Sequence, residues 1–130
     1  MTQSAEDAEL SVRDAPERQR YEIWVGDALA GFTVYRPERN RFAFTHTEID
    51  PAFGGRGLAS VLIRGALDGM RARGIAVLPY CPLVRRFIYR HADYLDLVPA
   101  ADRARFELPA AEDSAAQAAD AGRGETRTIR

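Results

Sequence analysis

Thr45-His46-Thr47-Glu48-Ile49-Asp50-Pro51-Ala52-Phe53-Gly54-Gly55-Arg56-Gly57-Leu58-Ala59-Ser60 is the stretch whose reading decides the fold of this chain. It reads as an extended segment, a glycine-rich turn and the start of a helix. A glycine turn lets the backbone approach a ligand closely, because no Cβ stands in the way. The helix that follows points unpaired N–H groups back into the turn, and with the helix dipole they form a ready site for phosphate. The spacing points to a phosphate-bearing ligand, most simply a nucleotide-containing cofactor. The same residues also suit a tight strand-to-helix turn that binds nothing.

On the N-terminal side, Met1 to Glu9 is polar and acidic and is expected to be a flexible tail. Leu10–Arg13 suits a short first strand. Tyr21–Val25 alternates polar and apolar residues, as a half-buried strand does. Gly26-Asp27 signals a turn into the next strand, Leu29–Tyr35, and the polar Arg36–Asn40 turn leads to Arg41–Ile49. The pattern predicts four strands in a meander before the glycine turn.

On the C-terminal side, Ala59, Leu62, Ile63, Ala66, Leu67 and Met70 follow the i, i+3, i+4, i+7 spacing of a buried stripe, predicting a helix over Gly57–Arg73. Gly74 stops it. Ile75–Leu78 is fully apolar, as expected of a central strand parallel to its predecessor. Pro82 opens a second helix to about His91. Tyr94–Val98 is expected to add an edge strand. From Pro99 the composition shifts to Ala, Asp, Glu and Arg, which predicts a mostly disordered tail over 99–130, with Arg105–Leu108 as a short element able to dock. The expected domain therefore spans 10–98.

The 130 residues hold one domain, 46% of them hydrophobic, which is normal for a globular protein. The net charge of -1 argues against a general nucleic-acid binder. All 18 basic residues are Arg, so no lysine of this chain can be acylated. The single cysteine, Cys81, excludes an internal disulfide. No apolar run approaches the ~20 residues of a spanning helix, and the N-terminus has no signal-peptide core. A cytoplasmic protein is expected, a monomer by default, with neither membrane nor nucleic acid as partner and no metal site.

The order of elements and the turn together resemble the GNAT superfamily of N-acetyltransferases. In that family a turn of the form Gln/Arg-x-x-Gly-x-Gly/Ala cradles the pyrophosphate of acetyl-coenzyme A. This chain matches at Gly57 and Ala59 and departs at Gly54, which replaces the Gln or Arg. A closer similarity is to a compact, stand-alone GNAT-like subgroup. It is carried by Phe44–Ile49, Gly55–Ser60, Pro79-Tyr80-Cys81-Pro82 and Arg90–Tyr94, within Val12 to Val98. The resemblance implies an α/β (α+β) fold: a mixed sheet, an antiparallel meander followed by a β-α-β crossover carrying the acetyl-coenzyme A turn, and a second helix.

It also implies an acetyl-coenzyme A-dependent N-acetyltransferase. Cofactor contacts are expected from Ile49, Gly54, Gly55, Arg56, Gly57, Leu58, Ala59, Ser60, Cys81 and Arg85. Acetyl transfer needs a base to free the amine, a donor for the developing oxyanion, and an acid for the leaving thiolate. By period-2 alternation His46 shares a face with Phe42, Phe44 and Glu48, beside the turn. The resemblance favours His46 as the base, a role suited to a group titrating near neutrality. Glu48 is the rival base. Cys81 lies where a core strand meets a helix N-terminus, a setting that favours thiolate. The resemblance puts it near the thioester, to accept an acetyl group or to polarise the site. Tyr89 falls one residue late for the tyrosine acid of larger GNAT enzymes, so that role is not carried over. With only a polar tail before the meander, the acceptor groove is expected to be open, suiting an amine on a peptide or an exposed small molecule. The alternative is a non-catalytic coenzyme A or acyl-coenzyme A binding module.

Overall fold

A computed structural model describes residues 9–110. The expectations for 1–8 and 111–130 lie outside the described residues. Five strands, β1 (Leu10–Ala15), β2 (Arg20–Val25), β3 (Ala28–Glu38), β4 (Arg41–Ile49) and β5 (Ala76–Pro79), form one sheet in sequential order. The first four are antiparallel and β5 lies parallel to β4. Helix α1 (Leu58–Arg73) makes the crossover and helix α2 (Pro82–Arg90) follows β5. Short 3-10 turns close the described chain at Ala92–Leu97, Ala100–Asp102 and Ala104–Phe106.

α1 buries Leu58, Leu62, Ile63, Ala66, Leu67 and Met70. Two glycines let it sit close to the sheet. A Cβ on Gly65 would meet Val12 at 2.8 Å, and one on Gly69 would collide with the Tyr21 hydroxyl. The helix thus accepts its two poorest interior helix formers short of proline so that it can lie on β1 and β2. Beneath it Tyr35 packs its ring on Phe42 at 4.7 Å and on Phe44 at 5.8 Å. Burial raises the Tyr35 phenol well above its ordinary pKa, and its hydrogen bond to Asp14 adds to the shift.

Four sequence expectations are corrected. β5 is an edge strand, not a central one, since β4 is its one neighbour in the sheet. Its apolar character answers to α1 and α2, which both pack against it and leave Val77 and Leu78 buried. Tyr94–Val98 is no edge strand: Tyr94–Leu97 lies in the 3-10 turn Ala92–Leu97, and Val98 caps it. Its backbone groups are satisfied locally, Tyr94 N–H donating to the His91 carbonyl and Val98 N–H to the Leu95 carbonyl, while Arg71 of α1 ties the turn down through the Asp93 carbonyl and the Asp96 carboxylate. The packed chain does not end at Val98: Phe106 and Leu108 are buried, and Arg103 is buried with its Nε donating to the Val98 carbonyl. Phe106 meets Tyr80 edge-on at 5.1 Å.

The fourth correction concerns β4. Val34 pairs with His46 but Tyr35 pairs with Phe44, so Thr45 is an extra residue in β4, a β-bulge. The alternation slips by one. Phe42, Phe44 and Thr47 are buried, whereas Thr45, His46 and Glu48 are exposed. His46 and Glu48 therefore share a face with each other and with Phe32, not with Phe42 and Phe44.

Candidate functional site

The glycine turn begins where β4 ends. Asp50 accepts a hydrogen bond from the Ala52 N–H at 2.9 Å and sets the 3-10 turn Pro51–Phe53. Gly55 and Gly57 then take φ of +81° and +72°, the left-handed region that side chains disfavour. A Cβ built on either meets nothing within 4 Å, so the space beside both glycines is open. Gly57 is the N-cap of α1 and brings no side chain to it, and the first turn of the helix holds no acid. The amides of Leu58, Ala59 and Ser60 are first-turn N–H groups, which have no partner within the helix. Arg56 lies alongside with its guanidinium 5.3 Å from the Phe53 ring centre. Open space, backbone donors, a helix dipole and an arginine fit a pyrophosphate.

A second element of the site is a gap in the sheet. Pairing between β4 and β5 ends at Phe44 and Pro79, and the Cys81 N–H donates to the Phe44 carbonyl at 2.8 Å as the last link. Among the described residues no strand pairs with Thr45–Ile49 on that side of β4. The bulge at Thr45 falls where β5 ends, and beyond it the β4 edge runs unpaired to the glycine turn. Arg85 fixes the end of β5, its Nη2 donating to the Tyr80 carbonyl at 2.9 Å. That contact engages Arg85 at the strand end, although it was expected to serve cofactor phosphates. Arg86 and Arg90 line the groove that begins at Ala59 and Ser60.

Polar side chains approach the unpaired edge from both faces of the sheet. On the α1 face Thr33 and Thr47 share a hydrogen bond of 2.8 Å, and Thr47 Oγ1 lies 3.3 Å from Cys81 Sγ. All three residues are buried, Cys81 at 3% exposure. The Cys81 thiol is thus enclosed and hydrogen-bonded. On the other face His46 Nε2 lies 2.8 Å from Glu48 Oε2, and both side chains are more than half exposed. The structure brings His46 and Glu48 together, but it puts Cys81 across the sheet from them. Thr33 and Thr47 were missed as site residues. Their signal, two threonines opposite each other on adjacent strands, appears only once the register is known.

Ile49, half-buried, ends the edge. A Cβ on Gly31 would collide with the Glu48 carbonyl and the Ile49 side chain, so glycine there keeps β3 and β4 in close contact. The exposed face is framed by Glu22, itself buried. Burial alone would raise its carboxyl pKa, but hydrogen bonds from Arg20, Trp24 and Arg18 outweigh burial and hold it below the usual range. Tyr89 is exposed on α2, and the Tyr94 hydroxyl donates to Asp68.

A family model described as GCN5-related N-acetyl-transferase matches residues 20–97, from the start of β2 through Leu97. Among solved structures, a GCN5-like protein of Staphylococcus aureus determined by NMR in solution is similar with a TM-score of 0.55 and 16% identity. The match covers 69% of this chain and 88% of that one, and at that identity it speaks for the fold. No curated protein matches the chain.

Proposed function

Since this chain belongs to the GCN5-related N-acetyltransferase family, we propose that it transfers an acetyl group from acetyl-coenzyme A to an exposed primary amine of a peptide or small molecule, with His46 as the base. The observation that carries the reading is the unpaired edge of β4. It runs from the open glycine turn to the exposed His46–Glu48 pair.

Gly54, Gly55, Arg56, Gly57 and the first-turn amides of Leu58, Ala59 and Ser60 would hold the pyrophosphate, and the edge from Thr45 to Ile49 would hold the pantetheine arm. When bound, acetyl-coenzyme A supplies an activated thioester. The chain's own residues do the rest. An amine arrives at neutral pH as ammonium and must lose its proton before it can attack. His46 stands on the solvent face and takes that proton. Glu48 orients the imidazole through Nε2 and stabilises its charged form. Unpaired backbone N–H groups of the β4 edge are donors available to a carbonyl oxygen that gains charge. Cys81 and Thr47 line the opposite side of the edge as a buried polar floor.

Calorimetric titration with acetyl-coenzyme A, paired with detection of free thiol on adding a primary amine such as a peptide N-terminus, tests the reading. Saturable binding with amine-dependent thiol release is expected. Tight binding with no amine ever acetylated would instead make the chain a binding module.

A further inference from the structure

We infer that His46 serves acceptors of one class, primary amines carried on an apolar body with no carboxylate beside the amine, and that a groove of about 220 Å³ along β3 and the end of β4 selects them. The inference rests on the acetyl-transfer reading above and names its acceptor. Leu29, Phe32, Glu48, Ile49, Asp50 and Pro51 line the groove.

The groove starts at the base itself. Glu48 belongs to both, since its Oε2 lies 2.8 Å from His46 Nε2 and its side chain lines the groove. Phe32 pairs with Glu48 across β3 and β4, and its ring centre lies 6.4 Å from that of the imidazole. An amine presented to His46 from the solvent face therefore has Phe32 and Glu48 as neighbours of its next carbons. On the β2 side of Phe32 the surface is already occupied. Arg20 lies over the Phe32 ring at 4.3 Å and is tied to Glu22, which also accepts from Arg18 and Trp24. The space left for the body of the acceptor runs along the groove toward Leu29 and Pro51.

Size, lining and charge each narrow the choice. The groove is smaller than the ~300 Å³ at which pockets for drug-sized ligands begin, so it takes a group of side-chain dimensions. Leu29, Phe32 and Ile49 are half-buried there, and covering their remaining apolar surface favours a ring or a branched alkyl group over a hydroxylated one. Glu48 and Asp50 are both exposed. Neither is paired with an arginine among the described residues, whereas Glu22, Asp96 and Asp102 all are. Asp50 only accepts from the Ala52 N–H, which leaves its charge in place. Two carboxylates beside the base attract an ammonium ion and repel a carboxylate next to it. The groove thus fits an arylalkylamine or alkylamine and rejects a free amino acid.

The test measures kcat/KM for thiol release from acetyl-coenzyme A by the full chain with three primary amines. Phenethylamine has the ring, ethanolamine lacks it, and phenylalanine adds a carboxylate beside the amine. In the wild type phenethylamine should exceed each of the other two on the order of 10- to 100-fold. Phe32→Ala and Leu29→Ser should each lower the phenethylamine value about tenfold and the ethanolamine value at most about threefold. Asp50→Asn keeps an oxygen for the Ala52 N–H and should narrow the gap between phenethylamine and phenylalanine. Circular dichroism checks each fold, and Leu29→Ser keeps the test decisive if Phe32→Ala does not fold. Equal wild-type values for phenethylamine and either other amine would overturn the proposal while leaving acetyl transfer intact. So would a Leu29→Ser protein slowed equally with phenethylamine and ethanolamine. If no amine is acetylated, the acetyl-transfer reading fails, and the groove is judged by titrating phenethylamine against the fluorescence of Trp24. Trp24 is the chain's one tryptophan and pairs with Leu29 across β2 and β3. A saturable change that Leu29→Ser abolishes would uphold the groove as an amine site, and a flat titration would overturn it.

Discussion

Two faces of β4 carry polar groups around the same unpaired edge, and they differ in almost every physical respect. On the α1 face the Thr33–Thr47–Cys81 chain is enclosed by the core, and each member is satisfied by another. On the other face His46 and Glu48 stand in solvent with each other as partners. The first arrangement specifies a structure, because a buried hydroxyl without its partner costs the full desolvation of that group. The second is free to exchange protons with an incoming molecule. The bulge at Thr45 assigns residues to the two faces, and it opens the edge that both flank.

The largest expected effect removes the ligand from both faces together. Gly57→Asp adds a side chain at φ +72° and a negative charge where phosphate would sit. Acetyl-coenzyme A affinity should fall at least 100-fold by calorimetry. Unchanged affinity in a folded variant would detach the glycine turn from function.

Next comes the buried chain. Thr47→Val should strand the Thr33 hydroxyl in the core and cost about 1–3 kcal/mol in chemical denaturation. Adding Thr33→Val removes both partners and should recover much of the loss. If the double variant is no better than the single one, the hydroxyl pair is not the source of the cost. On the exposed face Glu48→Gln should leave stability within about 0.5 kcal/mol, as surface changes do. It should slow acetyl transfer about tenfold, on the premise that an orienting partner contributes less than the base itself. A complete loss of turnover would make Glu48 the base and His46 its partner.

The smallest effect concerns the frame of that face. The folded Glu22 carboxyl lies below its ordinary value of 4.5, so its contribution to stability is present above that value and is lost as pH falls below it. Melting temperature followed from neutral pH to about pH 3 should decline more steeply in the wild type than in Glu22→Gln. Parallel curves would show that the arginine cluster carries no such linkage.

Much of this was legible in the residues. The glycine turn, the stripe of α1 and the limits of β4 are local patterns, and Gly57, Leu62, Ile63 and Met70 stand where their spacing puts them. What stayed hidden depends on partners. A bulge is a mismatch between two strands, so nothing within Phe42–Glu48 alone shows that Thr45 is the surplus residue. The face of His46 was misread for that reason. Ile75–Leu78 looked central because burial by helices and burial by neighbouring strands leave the same apolar run. Arg85 and Arg86 are adjacent in sequence, yet a rotation of about 100° on the helix sends one to carbonyls at the end of β5 and the other to the groove beside α1. Phe106 and Leu108 are buried as the expected docking of Arg105–Leu108 requires, whereas the burial of Arg103 lay hidden in a stretch whose average composition is that of a tail.

The most direct measurement is the rate of acetyl transfer to a primary amine at saturating acetyl-coenzyme A in His46→Ala set against Cys81→Ser. If the exposed pair moves the proton and the buried chain only shapes the edge, His46→Ala should be slower than wild type by about two orders of magnitude with cofactor affinity preserved. Cys81→Ser, which keeps a donor on Thr47, should stay within about tenfold of wild type. A His46→Ala protein that turns over normally while Cys81→Ser is inactive would contradict this, and would move the chemistry to the buried face of the strand.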